Sequence, residues 1–340
     1  MPHMRLGTYH RDSYAAPSMS DRNDTQRNTH EERTRVTAPD GWVLDVMVLR
    51  PAPETAPEGV IICGHAMMTD RRSMLRSDRP SLAPTLVAAG FVVLVPDLRG
   101  HGMSGPTAAA GGVWTYDDHI ADVPVLLDLA ERVAPGLPVS LLGHSLFGHV
   151  GLAWMGRNPE EARRRVAAVA LLAVNMWHPK SWGAHQDVRV RARKALTMMG
   201  TRALGRLRGY VPITWTSPKA MDEPNAYWDV LYRSGIEGRW AADDGFDFRT
   251  ALPSISQPVL HVLSEGDVLD GQPAEAVPFL DPLPNRTVWR LGKAQQYPAE
   301  LWGLAPDHMR LVTAPKSLPI WQAVAQWLRA ALESLGEDAG

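Results

Sequence analysis

Along this chain, short and almost wholly apolar runs alternate with longer stretches whose apolar residues recur every three to four positions. The runs 59–63 (Gly-Val-Ile-Ile-Cys), 91–96 (Phe-Val-Val-Leu-Val-Pro), 138–142, 166–174 and 258–263 are apolar on both faces and rich in β-branched residues. Such runs read as strands covered on both sides. A further strand is expected over 286–291. Helical spacing appears over 81–89, 116–133, 146–156 and 319–335, the last with Ile320, Val324, Trp327, Leu328 and Leu332 on one stripe. Upstream, 35–38 and 42–49 flank Pro39-Asp40-Gly41 and predict a hairpin. Strands alternating with helices from Val60 onward predict an α/β fold with a largely parallel sheet covered on both faces.

The rhythm breaks between Val174 and Pro258. Trp177, Trp182, Trp215, Trp228 and Trp240 fall there, with Tyr210, Tyr227 and Tyr232, in a stretch with no sheet pattern. These rings can line an apolar cavity or form the insertion's own small core. Arg189, Arg191, Arg193, Lys194, Arg202, Arg206 and Arg208 add a basic stretch. A solvated helix face is its plain explanation; guiding an anionic substrate or touching a membrane surface is the sharper one. Residues 1–32 are polar and of mixed charge, and read as a tail or loosely docked arm without the apolar core of a signal peptide.

Chemistry is concentrated where the strands end. The strand over 138–142 runs into Gly143-His144-Ser145-Leu146-Phe147-Gly148 and then into a helical pattern. A strand-to-helix turn of this kind exposes a serine hydroxyl and places the following amide at a helix N-terminus, where it can donate to a developing oxyanion. The spacing departs from G-x-S-x-G, because Phe147 stands two after the serine and Gly148 one later. A serine of this kind needs an acid and then a histidine further along the chain. Asp267 follows the run 258–263 in the turn Ser264-Glu265-Gly266-Asp267, and His308 is the only histidine beyond it. Gly100-His-Gly102-Met-Ser-Gly105 matches the bare spacing of a dinucleotide loop, but Pro106 and small residues follow where a helix should open. His65, His101, His144 and His149 are scattered over separate loops and a helix, without the paired spacing of a zinc site, so no metal and no organic cofactor is expected.

The stretch Asp97-Leu-Arg-Gly-His-Gly-Met-Ser-Gly105, with His65-Ala66-Met67 and the turn at Ser145, resembles the α/β-hydrolase family over residues 34–334. That resemblance implies an eight-stranded, mostly parallel sheet with helices on both faces, interrupted by a helical lid. The expected organisation is a tail over 1–32, a core over 33–174 and 253–340, and a lid over 175–252. It also implies a triad of Ser145, Asp267 and His308, with the backbone amides of Met67 and Leu146 as the oxyanion hole. Ala66 replaces the usual glycine of that turn. Trp177, His144 and Met68 are expected at the substrate pocket.

Composition narrows the partners. A net charge of −2 over 340 residues gives no broad attraction for nucleic acid. No apolar run reaches the roughly 18 residues of a membrane span, and the cytoplasm is the expected residence. The single cysteine, Cys63, lies in an expected strand and reads as a buried structural thiol. Together these features point to a serine hydrolase cleaving an acyl bond of a small, largely apolar molecule: a carboxylic ester, lactone or thioester. Amide cleavage, acyl transfer and carbon–carbon bond hydrolysis use the same constellation. A non-catalytic binding protein that keeps the fold is the alternative from another class.

Overall fold

The computed structural model describes residues 30–177, 188–293 and 297–337. The strands are β1 (His30–Thr37), β2 (Val43–Arg50), β3 (Gly59–Gly64), β4 (Phe91–Pro96), β5 (Val139–His144), β6 (Ala168–Leu172), the short β7 (Tyr210–Val211) and β8 (Glu223–Pro224), β9 (Val259–Ser264) and β10 (Arg286–Leu291). Eight of them form one sheet in the order β1-β2-β4-β3-β5-β6-β9-β10. β2 runs antiparallel to both of its neighbours, and every pairing from β4 to β10 is parallel. The expected eight-stranded α/β sheet is therefore present. β1 starts at His30, inside the stretch expected to be tail, and pairs it with Arg50.

Period-two alternation sorts the strand residues onto two faces. Val60 and Ile62 of β3 and Val92 and Leu94 of β4 join one core, with Val123, Leu126 and Leu127 of the helix Tyr116–Val133. Ile61, Cys63, Phe91, Val93 and Val95 join the other, with Ile320, Trp321, Val324 and Leu328 of the helix Leu318–Glu337. The helix Tyr116–Val133 starts at Thr115, whose side chain and that of Asp118 cap each other's backbone amides. Cys63 is fully buried, and burial pushes its thiol pKa up.

Between β6 and β9 the chain leaves the sheet. It forms the helix Val188–Arg208, the ribbon β7–β8, the helix Asn225–Tyr232 and a π-helical turn, Arg233–Glu237. Trp182 and the side chain of Arg191 lie outside the described residues. Lys194 is not on a solvated face: its ammonium and the Glu275 carboxylate are 3.0 Å apart, each side chain 1% exposed, and it sits over the Trp177 ring at 4.8 Å. Arg202 pairs with Asp229 at 2.6 Å. The same helix leaves Leu196 69% and Leu207 88% exposed. No helix among the described residues is long and apolar enough to cross a membrane.

Candidate active site

The turns that carry chemistry all follow the C-terminal ends of parallel strands, where ligands bind in open α/β sheets. His65 follows β3, Asp97 follows β4, Ser145 follows β5 and Asp267 follows β9. A concavity of about 650 Å³, lined by Pro138, Ala167 and Pro258 among others, lies at the opposite end of these strands and is remote from them.

Ser145 adopts φ 50° and ψ −107°, far from ordinary serine backbone. Such a residue costs on the order of 1–3 kcal/mol and persists only where its surroundings over-determine it. Here β6 and a close contact do so. The Ser145 amide donates to the Leu172 carbonyl at 3.0 Å, and the Gly148 amide donates to the Ser145 carbonyl at 3.1 Å. A Cβ on Gly143 would stand 2.2 Å from the Gly148 nitrogen, so strand and helix touch through those two glycines. The small residue that the turn needs is therefore Gly148, one later than the usual spacing. Phe147 points away from that contact and lies on Gly64 at the end of β3, where a Cβ would meet its ring at 2.1 Å.

Asp267 and His308 meet at the same edge. The His308 Nδ1 lies 2.6 Å from Asp267 Oδ2. The Asp267 carboxylate also accepts from the amides of Asp270 (3.0 Å) and Gly271 (2.9 Å). Burial alone would raise the Asp267 pKa; the His308 ring and those amides outweigh it, and the net shift is downward. Burial alone would lower His308; the hydrogen bond and charge of Asp267, with the charges of Asp270 and Asp307, turn the shift upward. Asp270 is pushed up by burial and by the Asp267 charge, and it is Asp267 that meets the ring. Ligand atoms of Asp267, Asp270 and His308 lie within 4.8 Å of one another. The Nδ1–Oδ2 hydrogen bond leaves no space for an ion between those two atoms.

His144 is fully buried and sits beneath His308, not at an open pocket wall. Its Nε2 donates to the His308 carbonyl at 3.1 Å, and the two rings are 4.7 Å apart. Burial, followed by the neighbouring His308, holds its pKa well below the ordinary value, so it supports His308 as a neutral ring. The residue expected at the substrate pocket thus lies fully buried behind His308.

Met67 and Met68 follow the buried His65. His65 Nε2 accepts from the Leu98 amide at 2.9 Å, so its Nδ1 carries the proton and donates to the Ala66 carbonyl at 2.7 Å. Burial, with His101 nearby, holds the His65 pKa down to about 3. Ala66 is not among the residues of positive φ; the left-handed residue of this turn is Met68, at φ 59°. Neither the Met67 nor the Leu146 amide donates to another backbone carbonyl in the turns and loops described. Trp177 is half-buried, its carbonyl taking the Ser234 hydroxyl at 2.9 Å.

The Asp97–Gly105 turn is structural. Asp97 accepts from the amides of Arg71 and Met103, each at 2.9 Å, and the Ser104 hydroxyl donates to its carbonyl at 2.6 Å. Arg99 is buried between Asp122 and Asp40. His101 reaches across to Glu223 at 3.0 Å. Glu223 escapes sequence reasoning, and Tyr227, named there only as one ring of the aromatic cluster, has its hydroxyl 3.9 Å from the Met67 sulfur. Both sit in the segment without sheet rhythm, where no spacing marks which residues turn inward.

Sheet order, a strained serine after β5 and an acid–histidine pair after the later strands define the α/β-hydrolase fold. The chain belongs to the Hydrolase_4 family (serine aminopeptidase, S33), which matches residues 72–242. It is 30% identical over 109 residues to a monoacylglycerol lipase of Mycolicibacterium smegmatis, covering 32% of this chain and 36% of that one. It is 36% identical over 74 residues to phospholipase YtpA of Bacillus subtilis, covering 21% and 27%. The match thus spans about a third of the length of these relatives. Among solved structures it is similar to Est1E of Butyrivibrio proteoclasticus with bound ferulic acid (TM-score 0.59, 14% identity, 88% of this chain and 99% of that chain). It is also similar to an esterase of Pyrococcus furiosus (TM-score 0.54, 15% identity, 97% and 100%).

Proposed function

We propose that the protein is a serine hydrolase that cleaves a carboxylic ester of a small, largely apolar acyl group through a covalent acyl-enzyme. The observation that carries this reading is the 2.6 Å contact between His308 Nδ1 and Asp267 Oδ2, at the sheet edge that also bears Ser145 in its strained turn. The names of the lipase and phospholipase relatives favour an ester over the amide suggested by the family's description.

In this reading, His308 Nε2 takes the Ser145 hydroxyl proton as the oxygen attacks the acyl carbon. Asp267 holds the other ring nitrogen protonated and stabilises the imidazolium. The amides of Met67 and Leu146 donate to the oxyanion, where preorganised donors contribute most. His308 then returns the proton to the departing alkoxide, leaving Ser145 acylated and the alcohol free. Water attacks the acyl carbon with its proton passing to His308, and collapse releases the acid and restores the serine. No cofactor enters these steps. Trp177 and Met68 are assigned to the acyl pocket, and the segment over 175–252 to a lid above it.

The test is labelling of the intact protein with a fluorophosphonate, followed by peptide mapping, beside hydrolysis of p-nitrophenyl esters of increasing acyl length. The expected result is one adduct, on Ser145, and turnover of short to medium esters. A folded preparation that takes no label at Ser145 at neutral pH removes the reading. Trp177→Ala is expected to shift the acyl-length profile, since each buried methylene contributes about 0.8 kcal/mol.

A further inference from the structure

A trans peptide is planar, so fixing its carbonyl also fixes the direction of its amide. Three consecutive planes make up the turn after β3, and each is held from outside. The Ala66–Met67 plane, which carries the Met67 N–H, is fixed by His65 Nδ1 donating to the Ala66 carbonyl at 2.7 Å. The Met67–Met68 plane is fixed by the Met68 N–H donating to Glu223 Oε1 at 2.8 Å. The Met68–Thr69 plane is fixed by the Met221 amide donating to the Met68 carbonyl at 2.8 Å. Met68, between the last two, is held at φ 59°, a conformation an unbranched L-residue adopts only under constraint.

Two of those three holds come from the insertion, far along the chain from the turn they fix. Glu223 belongs to β8 and pairs there with Val211. It is fully buried, and its Oε1 accepts a second hydrogen bond from His101 Nε2 at 3.0 Å. His101 is itself anchored by Nδ1 donating to the Arg99 carbonyl at 2.8 Å. The preceding residue is tied down as well: Asp222 accepts from both the amide and the hydroxyl of Thr214 at 2.9 Å. A buried carboxylate is costly to place, and here a backbone amide and a histidine that share one of its oxygens offset that cost.

We infer that Glu223, set by His101, is a positioning residue for the oxyanion turn: by holding the Met67–Met68 plane next to the one that His65 fixes, it completes the aim of the Met67 amide while the Met221–Glu223 segment of the insertion is docked. Glu223 touches no reacting atom and acts through the Met68 peptide. The inference rests on the serine-hydrolase reading above and goes beyond it by making the insertion a part of the oxyanion site.

The test compares Glu223→Ala and Glu223→Gln with the wild-type chain. Oxyanion contacts are made in the transition state, so their loss appears in kcat and in affinity for a transition-state analogue, with KM little changed. With p-nitrophenyl butyrate as substrate and butylboronic acid as inhibitor, Glu223→Ala is expected to lower kcat by up to about a hundredfold, the ceiling set by one lost oxyanion donor. Boronate affinity should fall in proportion while KM stays within about threefold. Glu223→Gln keeps a weaker acceptor for Met68 and should recover about tenfold of that loss. A merely structural latch would lower the melting temperature while leaving kcat and boronate affinity in step with wild type, and that result overturns the inference. If Glu223→Ala does not fold, an unchanged kcat and boronate affinity in the folded Glu223→Gln protein overturns it equally. A wild type that takes no fluorophosphonate at Ser145 overturns the hydrolase reading and this inference together. Wild type and both variants labelled at equal rates overturn this inference alone.

Discussion

The contact between Phe147 and Gly64 shows how one residue's departure from a motif is absorbed. Phe147 stands where a small residue is usual, yet it is 2% exposed and lies over a glycine that has no Cβ to meet it. Gly64→Ala would place a Cβ 2.1 Å from that ring and 2.6 Å from the Phe147 Cβ, the near end of the side chain, which a rotation of the ring does not clear. Overpacking of this kind costs about 1–3 kcal/mol or more. Chemical denaturation should show a lower midpoint for Gly64→Ala, and partial recovery when Phe147→Ala is added. At the same scale, His308 must be neutral to act as a base. Burial pushes its pKa down, but the Asp267 bond and charge push it up by more, so kcat/KM should rise with pH through a midpoint above the ordinary histidine value. Asp267→Asn removes the two largest upward contributions and leaves burial opposed only by the charges of Asp270 and Asp307. Its acid limb should therefore move to lower pH, while its plateau falls by about 10²- to 10⁴-fold. A pH–rate profile of both proteins checks the two together, and a limb that stays in place would separate Asp267 from the base.

Among the elements, the helices with strong periodicity are legible in the sequence alone. The stretch 116–133 is the helix Tyr116–Val133 to the residue, and 286–291 is β10. The insertion is not legible in that way. Its helix Val188–Arg208 shows a basic stripe along the sequence, and nothing there separates Lys194 from the exposed arginines. Burial of Lys194 is decided by Glu275, which arrives from beyond β9. Removing one partner of such a pair leaves an uncompensated buried charge, at about 3–5 kcal/mol. Lys194→Met should therefore lower stability by that order at pH 7. Burial already raises the Glu275 pKa despite Lys194, so the carboxylate is the partner that neutralises as pH falls. The deficit should shrink in acid, and Lys194→Met with Glu275→Leu should recover much of it. Urea midpoints at pH 7 and pH 5 measure both effects; an equal deficit at both would mean that packing, not charge, holds the contact.

For the whole molecule, the parallel sheet gathers at one edge residues that the chain keeps far apart, Ser145, Asp267 and His308. Groups that act as one device lose activity together. Ser145→Ala and His308→Ala should each lower kcat by several orders of magnitude, with the double variant little worse than either, the behaviour of a serine–histidine pair that works as a unit. Stopped-flow or long-time hydrolysis of a p-nitrophenyl ester measures this, and losses that multiply would show two independent contributions.

The sequence by itself determined what depends on local order. Apolar periodicity specified the sheet and its covering helices, because a strand or helix buries whichever face its own residues make apolar. Chain order and turn chemistry singled out Ser145 and Asp267, because each follows a legible strand, and His308, because it is the only histidine beyond them. Tertiary structure alone decided which buried polar groups face one another. His144 beneath His308, Gly148 in place of the residue before it, and Glu223 on the Met68 amide are contacts across the fold. A carboxylate in an aperiodic segment carries no mark of its partner, since its burial is set by whichever backbone amide the packed chain brings within hydrogen-bond reach.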